Sequence, residues 1–503
     1  MSKAILIILD GYGIAPPGPG NAIELANPET LKRLETEVPH TLIRADSETV
    51  GLPPNTLGGS EVGHFTMGAG TVIFQSLSII DDTIESGEFF DKEEFKKATQ
   101  VVKDNDSTLH LIGMISDKGI HAHINHLFAL MQFAKQQGIS KVAIHAIADG
   151  RDVPERSVKG FLESIEAKIE ELGLGEIIDL VGRYYAMDRD NNWDRTEQAY
   201  KLYTISEGKH ISIEEASDQY NEEEDTDYYL KAKKFTDNPV KSDDAVIFFN
   251  YRTDRAKQLT DAFTLKEFDH FDRAENPLPY FVAFGDYTKA APVAFPPPQV
   301  ETNIGKYLSE KGLKQLRIAE TEKYPHVTFF FNSQDKEPYE GEDRIVVDSP
   351  KVASYADAPE MSAKGVTSKV IEQIDAEKYD LIVLNYANLD LVGHSGEIDA
   401  TVKATQCVDK CLGEVLKAAE AHGYSVIITG DHGNADQMYY PDSDEICPAH
   451  SMNPTRCYVI TDKYSDYKVK QEGAELKDIA PTLLDLMGLD MPSSMTGTSL
   501  IEQ

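Results

Sequence analysis

The chain has 503 residues, 41% of them hydrophobic, with 85 acidic against 49 basic side chains and a formal net charge of −36. That length suits two to four domains, and that charge opposes nucleic acid and anionic membranes as partners. Four cysteines in so long a chain exclude a disulfide scaffold and suit a reducing, cytoplasmic compartment, and the longest apolar runs fall far short of the roughly 20 residues a membrane-spanning helix needs.

In chain order, "AILIILDGYG" predicts a first strand ending at Asp10, with no small-residue cleavage site of the kind a signal peptide carries. "GGSEVGH" (58–64) sets a serine among glycines. It fails as a hydrolase nucleophile elbow, because Val62 stands where the second glycine belongs. Ser60 therefore needs another activator. "KVAIHAIADGRD" predicts a strand running into Arg151 and Asp152, and "AVIFFNYRTDR" one running into Arg252 and Arg255. Helical periodicity marks "HINHLFALMQFAKQQG" and "SVKGFLESIEAKIEELG". The acid run "NEEEDTD" (221–227) reads as a solvated loop or helix end. "APVAFPPPQVETN" (291–303) predicts a stiff, extended connection.

Beyond it, "DLIVLNYANLD" predicts a strand leading to Asp390, and "YSVIITGDHGN" one leading to Asp431 and His432. Between them, "ATQCVDKCLGEVLKAAEAHG" predicts a helix with Ala404, Val408, Cys411, Leu412 and Val415 on one apolar face. That places Cys407 and Cys411 in a core rather than on a metal. Strand–helix alternation predicts an α/β fold with mostly parallel sheets, whose ligands bind outside the carboxyl ends of the strands.

The polar residues fall at those ends. Asp10, Asp390, His394, Asp431, His432 and His450 are carboxylates and imidazoles, the donor types expected for Mn²⁺ or Zn²⁺. They suffice for two ions about 4 Å apart. Such a centre lowers the pKa of a bound serine hydroxyl and makes Ser60 a nucleophile without a histidine relay. If Ser60 also opens a helix, the backbone N–H groups there favour a phosphate. Asp10 and Ser60 must then meet residues near the other terminus, so the intervening segment is most economically an inserted domain. That segment carries His121, Arg151, Arg183, Arg189, Arg252 and Arg255 in polar turns, with Lys323 beyond the proline stretch. Arginine grips phosphate and carboxylate bidentately, which points to a small anionic substrate.

The motifs "LDGYG", "GGSEVGH", "SDKGIHAHINH", "ADGRDVPERS", "GRYYAMDRD", "FFNYRTDRA", "AETEKYPHVTFFF", "NYANLDLVGHSG" and "GDHGNADQM" together resemble cofactor-independent phosphoglycerate mutases, in order along nearly the whole chain. The resemblance implies a metal-binding domain of the alkaline phosphatase superfamily (1–75 and 300–503) and an inserted phosphotransferase domain (76–299). It implies glycolytic interconversion of 3- and 2-phosphoglycerate by a monomer, with two divalent ions, Mn²⁺ first and Zn²⁺ or Co²⁺ as alternatives, and no organic cofactor. One ion falls to Asp390, His394 and His450, the other to Asp10, Ser60, Asp431 and His432. His121, Arg151, Asp152, Arg183, Arg189, Arg252, Arg255 and Lys323 match the family's substrate contacts.

The expected chemistry has Ser60 attack the phosphate, Lys323 serve the leaving oxygen and Asp152 act as base and acid. Linkers near 75–80 and 296–302 are the expected hinges of a closure that keeps water out. This chain departs from the family pattern at Gly59 (usually Asn), Thr71 (usually Arg) and Gly430 (usually Ala). The rival readings are another enzyme of the superfamily, such as a phosphatase, phosphodiesterase or phosphopentomutase, and a catalytically silent binding homologue.

Overall fold

A computed structural model describes residues 2–216, 226–297, 300–441, 443 and 445–502. The chain divides into two compact units: Met1–Phe74 with Gln299–Gln503, and Gln75–Pro298. The first unit is thus discontinuous, and the second interrupts it.

Among the described residues the first unit holds an eight-stranded sheet. Its order is Glu342–Val347, Gln315–Glu320, Leu381–Tyr386, Lys3–Leu9, Tyr424–Thr429, Thr455–Ile460, His40–Arg44 and Ala474–Glu475. The first five run parallel; Thr455–Ile460 is antiparallel to both neighbours. Lys3–Leu9 is central and buried on both faces, as its unbroken apolar run requires. Ile5, Ile7 and Leu9 pack into one core cluster, while Ala4, Leu6 and Ile8 pack into another. The helix Ile398–Ala421 covers one face through Val408, Cys411, Leu412 and Val415, and Ala404 packs with Val392 and Ala400; all five are buried as their spacing predicts.

The second unit is built on a seven-stranded sheet among the described residues. Five consecutive strands, Glu176–Gly182, Val142–Ala148, Leu109–Ile115, Ala245–Phe248 and the edge strand Tyr280–Ala283, are parallel. No helix among the described residues is long and apolar enough to cross a membrane.

Two expectations need correction. Of the linker expected near 75–80, residues 76–80 open the helix Ser76–Ser86, whose Ile80 is fully buried. The stretch from 291 is anchored at its start, where Ala294 and Phe295 are buried and bond the Tyr280–Ala283 strand end; residues 298 and 299 lie outside the described residues. Of the acid run, 221–225 lie outside the described residues, and Asp227 is not solvated. Its buried carboxylate accepts the backbone N–H groups of Ser157 and Val158 at 2.7 and 2.8 Å, satisfying donors that a helix start leaves open.

Candidate active site

Three adjacent parallel strands of the first unit end in carboxylates. Asp10 directly follows Lys3–Leu9, Asp431 follows Tyr424–Thr429, and Asp390 lies on the short helix Asn388–Gly393 after Leu381–Tyr386. Gly11 makes this convergence possible. It turns at φ +79°, and a Cβ there would stand 2.7 Å from the Asp390 backbone nitrogen.

Ser60 is the first residue of the helix Ser60–Ala69. Its hydroxyl donates to Asp10 Oδ1 at 3.1 Å, accepts from Lys323 Nζ at 2.8 Å and lies 2.9 Å from His432 Nε2. Lys323 also donates to Asp10 at 2.8 Å and to Asp390 at 2.5 Å. His450 Nε2 is 3.3 Å from Asp390 and 3.2 Å from His394 Nε2, and its Nδ1 is held at 2.7 Å by the Gly58 carbonyl. His394 Nε2 is 3.1 Å from Asp390. Asp10, Asp390, Asp431 and His432 are each at most 2% exposed.

The electrostatics call for added positive charge. Three buried carboxylates face one ammonium. Burial, then the Asp431 charge, pushes Asp10 above the usual carboxylate range. Burial works against the charge on Lys323, but Asp10 and Asp390 outweigh it and hold the ammonium above the ordinary lysine range. Asp431 Oδ2 is buried, with His64 Nδ1 at 3.2 Å and His432 Nε2 at 3.6 Å. Donor atoms of Asp10, Asp431 and His432, and of Asp390, His432 and His450, lie within 4.8 Å of one another. Clustered oxygen and imidazole donors and a charge deficit together fit divalent cations. His432 is common to both groups, whereas the sequence reading gave it to one ion.

A second tier of residues went unread in the sequence. Asn385, fully buried inside its strand, donates to Asp10 at 2.8 Å and to His64 Nε2 at 3.0 Å. That leaves the proton on His64 Nδ1, 2.9 Å from the Ser60 carbonyl and 3.2 Å from Asp431. Asn434 Nδ2 reaches Asp390 at 3.4 Å. His64 had a signal: it lies one helical turn after Ser60, on the same face. Asn385 had another, as the polar break in "LIVLNY".

Two of the three departures have a structural account. A Cβ at Gly430 would stand 2.5 Å from Thr455 Oγ1 and 2.6 Å from the Tyr12 carbonyl, so this packing requires glycine. At Gly59 a Cβ meets only the His450 ring, at 3.6 Å, so a side chain would fit. Thr71 lies 2.8 Å from Thr496 through their hydroxyls, and nothing in the structure explains its place there.

In the second unit the basic residues again gather at strand ends. Arg183, after Glu176–Gly182, donates to Asp149 at 2.7 Å, to Asp152 at 2.5 Å and to His121 Nε2 at 2.9 Å. His121 is therefore an acceptor at Nε2 and carries its proton on Nδ1, a buried atom without a hydrogen bond among the described residues, 3.9 Å from Asp254 Oδ1. Burial, then Arg183 and Arg252, pulls His121 down to about 4, so it is neutral at pH 7. Arg189 and Arg252 bind the two oxygens of Asp254 at 2.8 and 3.1 Å and hold it below the usual carboxylate range, although burial opposes this. Arg255 donates to the Met187 carbonyl at 3.1 Å. Arg151 is exposed, and its backbone N–H donates to Asp149. Asp149 and Asp254, which sequence reading passed over, thus organise the cluster.

Two family models match overlapping parts of the chain. Residues 80–289 match the family described as BPG-independent PGAM N-terminus, and 247–482 match Type I phosphodiesterase / nucleotide pyrophosphatase. The 2,3-bisphosphoglycerate-independent phosphoglycerate mutase of Acetivibrio thermocellus is 45% identical, over 99% of this chain and 98% of its own length. That of Moorella thermoacetica is 44% identical over the same shares. Among solved structures, the phosphoglycerate mutase of Leishmania mexicana at low cobalt concentration aligns over 100% of this chain and 98% of its own, with TM-score 0.64 and 28% identity. The chain belongs to the 2,3-bisphosphoglycerate-independent phosphoglycerate mutases, isomerases of the alkaline phosphatase superfamily.

Proposed function

We propose that this protein interconverts 3-phosphoglycerate and 2-phosphoglycerate through a phosphoserine at Ser60. The observation that carries the reading is the Ser60 hydroxyl itself, buried at a helix N-terminus within 3.1 Å of Asp10, His432 and Lys323. Two divalent cations, Mn²⁺ first with Zn²⁺ or Co²⁺ as alternatives, would be held by Asp10, Ser60, Asp431 and His432 and by Asp390, His394 and His450, supplying Lewis-acid charge that lowers the serine pKa and offsets phosphoryl charge.

Ser60 Oγ forms the new bond to phosphorus as the bond to the substrate oxygen breaks. The backbone N–H groups at the start of Ser60–Ala69 face the transferred phosphoryl, where they favour negative charge. Lys323 gives the leaving oxygen its counter-charge. Asp152 returns a proton to the departing hydroxyl and takes one from the other hydroxyl for the reverse transfer. The Nδ1–H of His121 and the guanidiniums of Arg151, Arg183, Arg189, Arg252 and Arg255 bind the carboxylate and phosphate of the substrate. Excluding water from phospho-Ser60 separates a mutase from a phosphatase. The reading makes the reaction glycolytic and the active unit a cytoplasmic monomer; the four free thiols suit that compartment, and size-exclusion chromatography checks the monomer.

The test is a mutase assay with Mn²⁺, with parallel measurement of phosphate release. Isomerisation without phosphate release is expected, lost on chelation and reduced on the order of 10⁴-fold or more in Ser60→Ala, with a phosphoryl adduct on Ser60 by mass spectrometry. Full isomerase activity in Ser60→Ala would overturn the reading, and phosphate release in place of isomerisation would make the protein a phosphatase.

A further inference from the structure

Arg151 and Asp152 lie in the stretch 149–157, which follows the strand Val142–Ala148 and holds neither helix nor strand. Arg151, Pro154, Glu155 and Arg156 are exposed, so burial does little to order it, and backbone entropy opposes any single arrangement. Asp149 fixes the near end. Its Oδ1 accepts the backbone N–H groups of Arg151 and Asp152 at 3.2 and 3.0 Å and Arg183 Nη1 at 2.7 Å.

Residues distant in sequence fix the far end. The turn Asp227–Tyr229 lies across the carboxyl ends of two adjacent parallel strands, Val142–Ala148 and Glu176–Gly182. The Asp227 N–H donates to the Glu155 carbonyl at 2.8 Å, and the Gly182 N–H donates to the Leu230 carbonyl at 2.7 Å. A Cβ on Gly150 would collide with the Tyr228 backbone nitrogen, and one on Gly182 with the Tyr228 carbonyl oxygen. These glycines, which immediately precede Arg151 and Arg183, let the turn rest directly on both. The Asp227 carboxylate is 1% exposed, and its Oδ2 accepts the Ser157 and Val158 N–H groups at 2.7 and 2.8 Å. One side chain thus ties the stretch 149–157 to the strand end that carries Arg183.

We propose that Asp227 is a positioning residue for the mutase reaction, holding Arg151 and Asp152 in register with Arg183 so that one substrate molecule meets all three. The inference rests on the reading above, in which those three residues serve the substrate. Asp227 acts through the backbone. Without its carboxylate, two N–H groups lose their acceptor and the stretch regains the freedom it gave up. Arg151 then grips the substrate's anion more weakly, which raises KM. Asp152 sits off the hydroxyl it serves, which lowers kcat. A residue needed only for stability would change the folded fraction and leave both constants of the folded protein alone.

The test is steady-state kinetics on the full-length, Mn²⁺-loaded protein, with calorimetric titration of 3-phosphoglycerate beside it. Asp227→Ala should raise KM and the 3-phosphoglycerate Kd about tenfold and lower kcat/KM on the order of 100-fold. Asp227→Asn, which keeps an acceptor oxygen, should recover most of both. In an Arg151→Ala background, Asp227→Ala should raise KM less than about twofold further, because the grip it supports is already gone, while its effect on kcat persists. If Asp227→Ala does not fold, Asp227→Ser, too short to reach both N–H groups, takes its place with the same expectations. Unchanged KM and Kd in folded Asp227→Ala or Asp227→Ser, no recovery in Asp227→Asn, or KM effects that multiply in full with Arg151→Ala would overturn the proposal. Absence of isomerisation in the unsubstituted protein would strike the mutase reading instead, and the calorimetric Kd would still decide whether Asp227 sets the grip on the anion.

Discussion

The two units use one architecture for opposite charges. Both set their polar residues at the carboxyl ends of adjacent parallel strands. In the first, the strand ends deliver Asp10, Asp390 and Asp431, nearly sealed from solvent, around a single ammonium. In the second, they deliver arginines that already hold acids: Arg183 on Asp149 and Asp152, Arg189 and Arg252 on Asp254. The first site is short of positive charge, which the proposed cations would supply. The second is locally neutralised, and Arg189 and Arg252 are about half exposed, so an incoming anion can exchange with their carboxylates. The sheet thus fixes where chemistry sits, and burial decides whether the charge found there needs a counter-ion or has one to give.

The largest contrast between the units concerns protons. A chain of buried groups crosses the second sheet: Asp244 to His110 at 3.2 Å, His110 to His145 at 2.9 Å, and His145 to Asp179 at 2.7 Å. Burial pulls His110 from 6.5 down to about 4. Below pH 6.5 the unfolded chain takes up a proton that the folded chain refuses, so stability falls as pH drops from 6.5 towards 4. His110 alone accounts for on the order of 3 kcal/mol across that window. Urea unfolding of this unit at pH 7, 5.5 and 4.5 should show the loss, and His110→Gln should flatten the slope even where it lowers stability throughout. Equal slopes in the two proteins would remove His110 as the cause.

The next effect belongs to the first unit. Asn385 fixes Asp10 and the His64 tautomer at once. Asn385→Leu keeps the volume but frees both, and outer partners of this kind are worth about 10–100-fold in metal affinity. Calorimetric titration of the folded protein with Mn²⁺ should show that loss. Unchanged affinity would reduce Asn385 to a filler of its strand.

What the sequence revealed, and what it hid, follows the same physics. Asp10 and Asp431 were legible because each ends an apolar run, so strand and turn could both be read. The same logic put Arg151, Arg252 and Asp390 just past strand ends, where the structure has them. Asn385 and His64 stayed hidden because their partners lie far along the chain, and local pattern gives a residue's face but not its neighbour. Asp149 and Asp254 sat inside the motifs that named Arg151, Arg252 and Arg255. They were passed over because acids beside arginines read as surface pairs, and only coordinates show that Asp149 is 2% exposed. A hinge near 75–80 overlooks the helical spacing of Leu77, Ile80 and Ile84; both Leu77 and Ile84 pack against the core that buries Ile80.

The smallest expected effect tests whether the guanidinium cluster of the second unit takes the substrate. Trp193, the only tryptophan, opens the helix Trp193–Ile205 four residues after Arg189. Its ring stacks on His270 with centroids 3.8 Å apart and meets Phe268 edge-on at 5.6 Å. That packing fixes the indole, so substrate reaches it only indirectly, through the Arg189–Asp254 pair and the turn that follows. Phosphoglycerate should therefore produce a small, saturable change in emission, and Arg189→Ala should weaken it in parallel with a higher KM. A flat titration through saturation, with activity intact, would place the substrate's anionic groups away from Arg189.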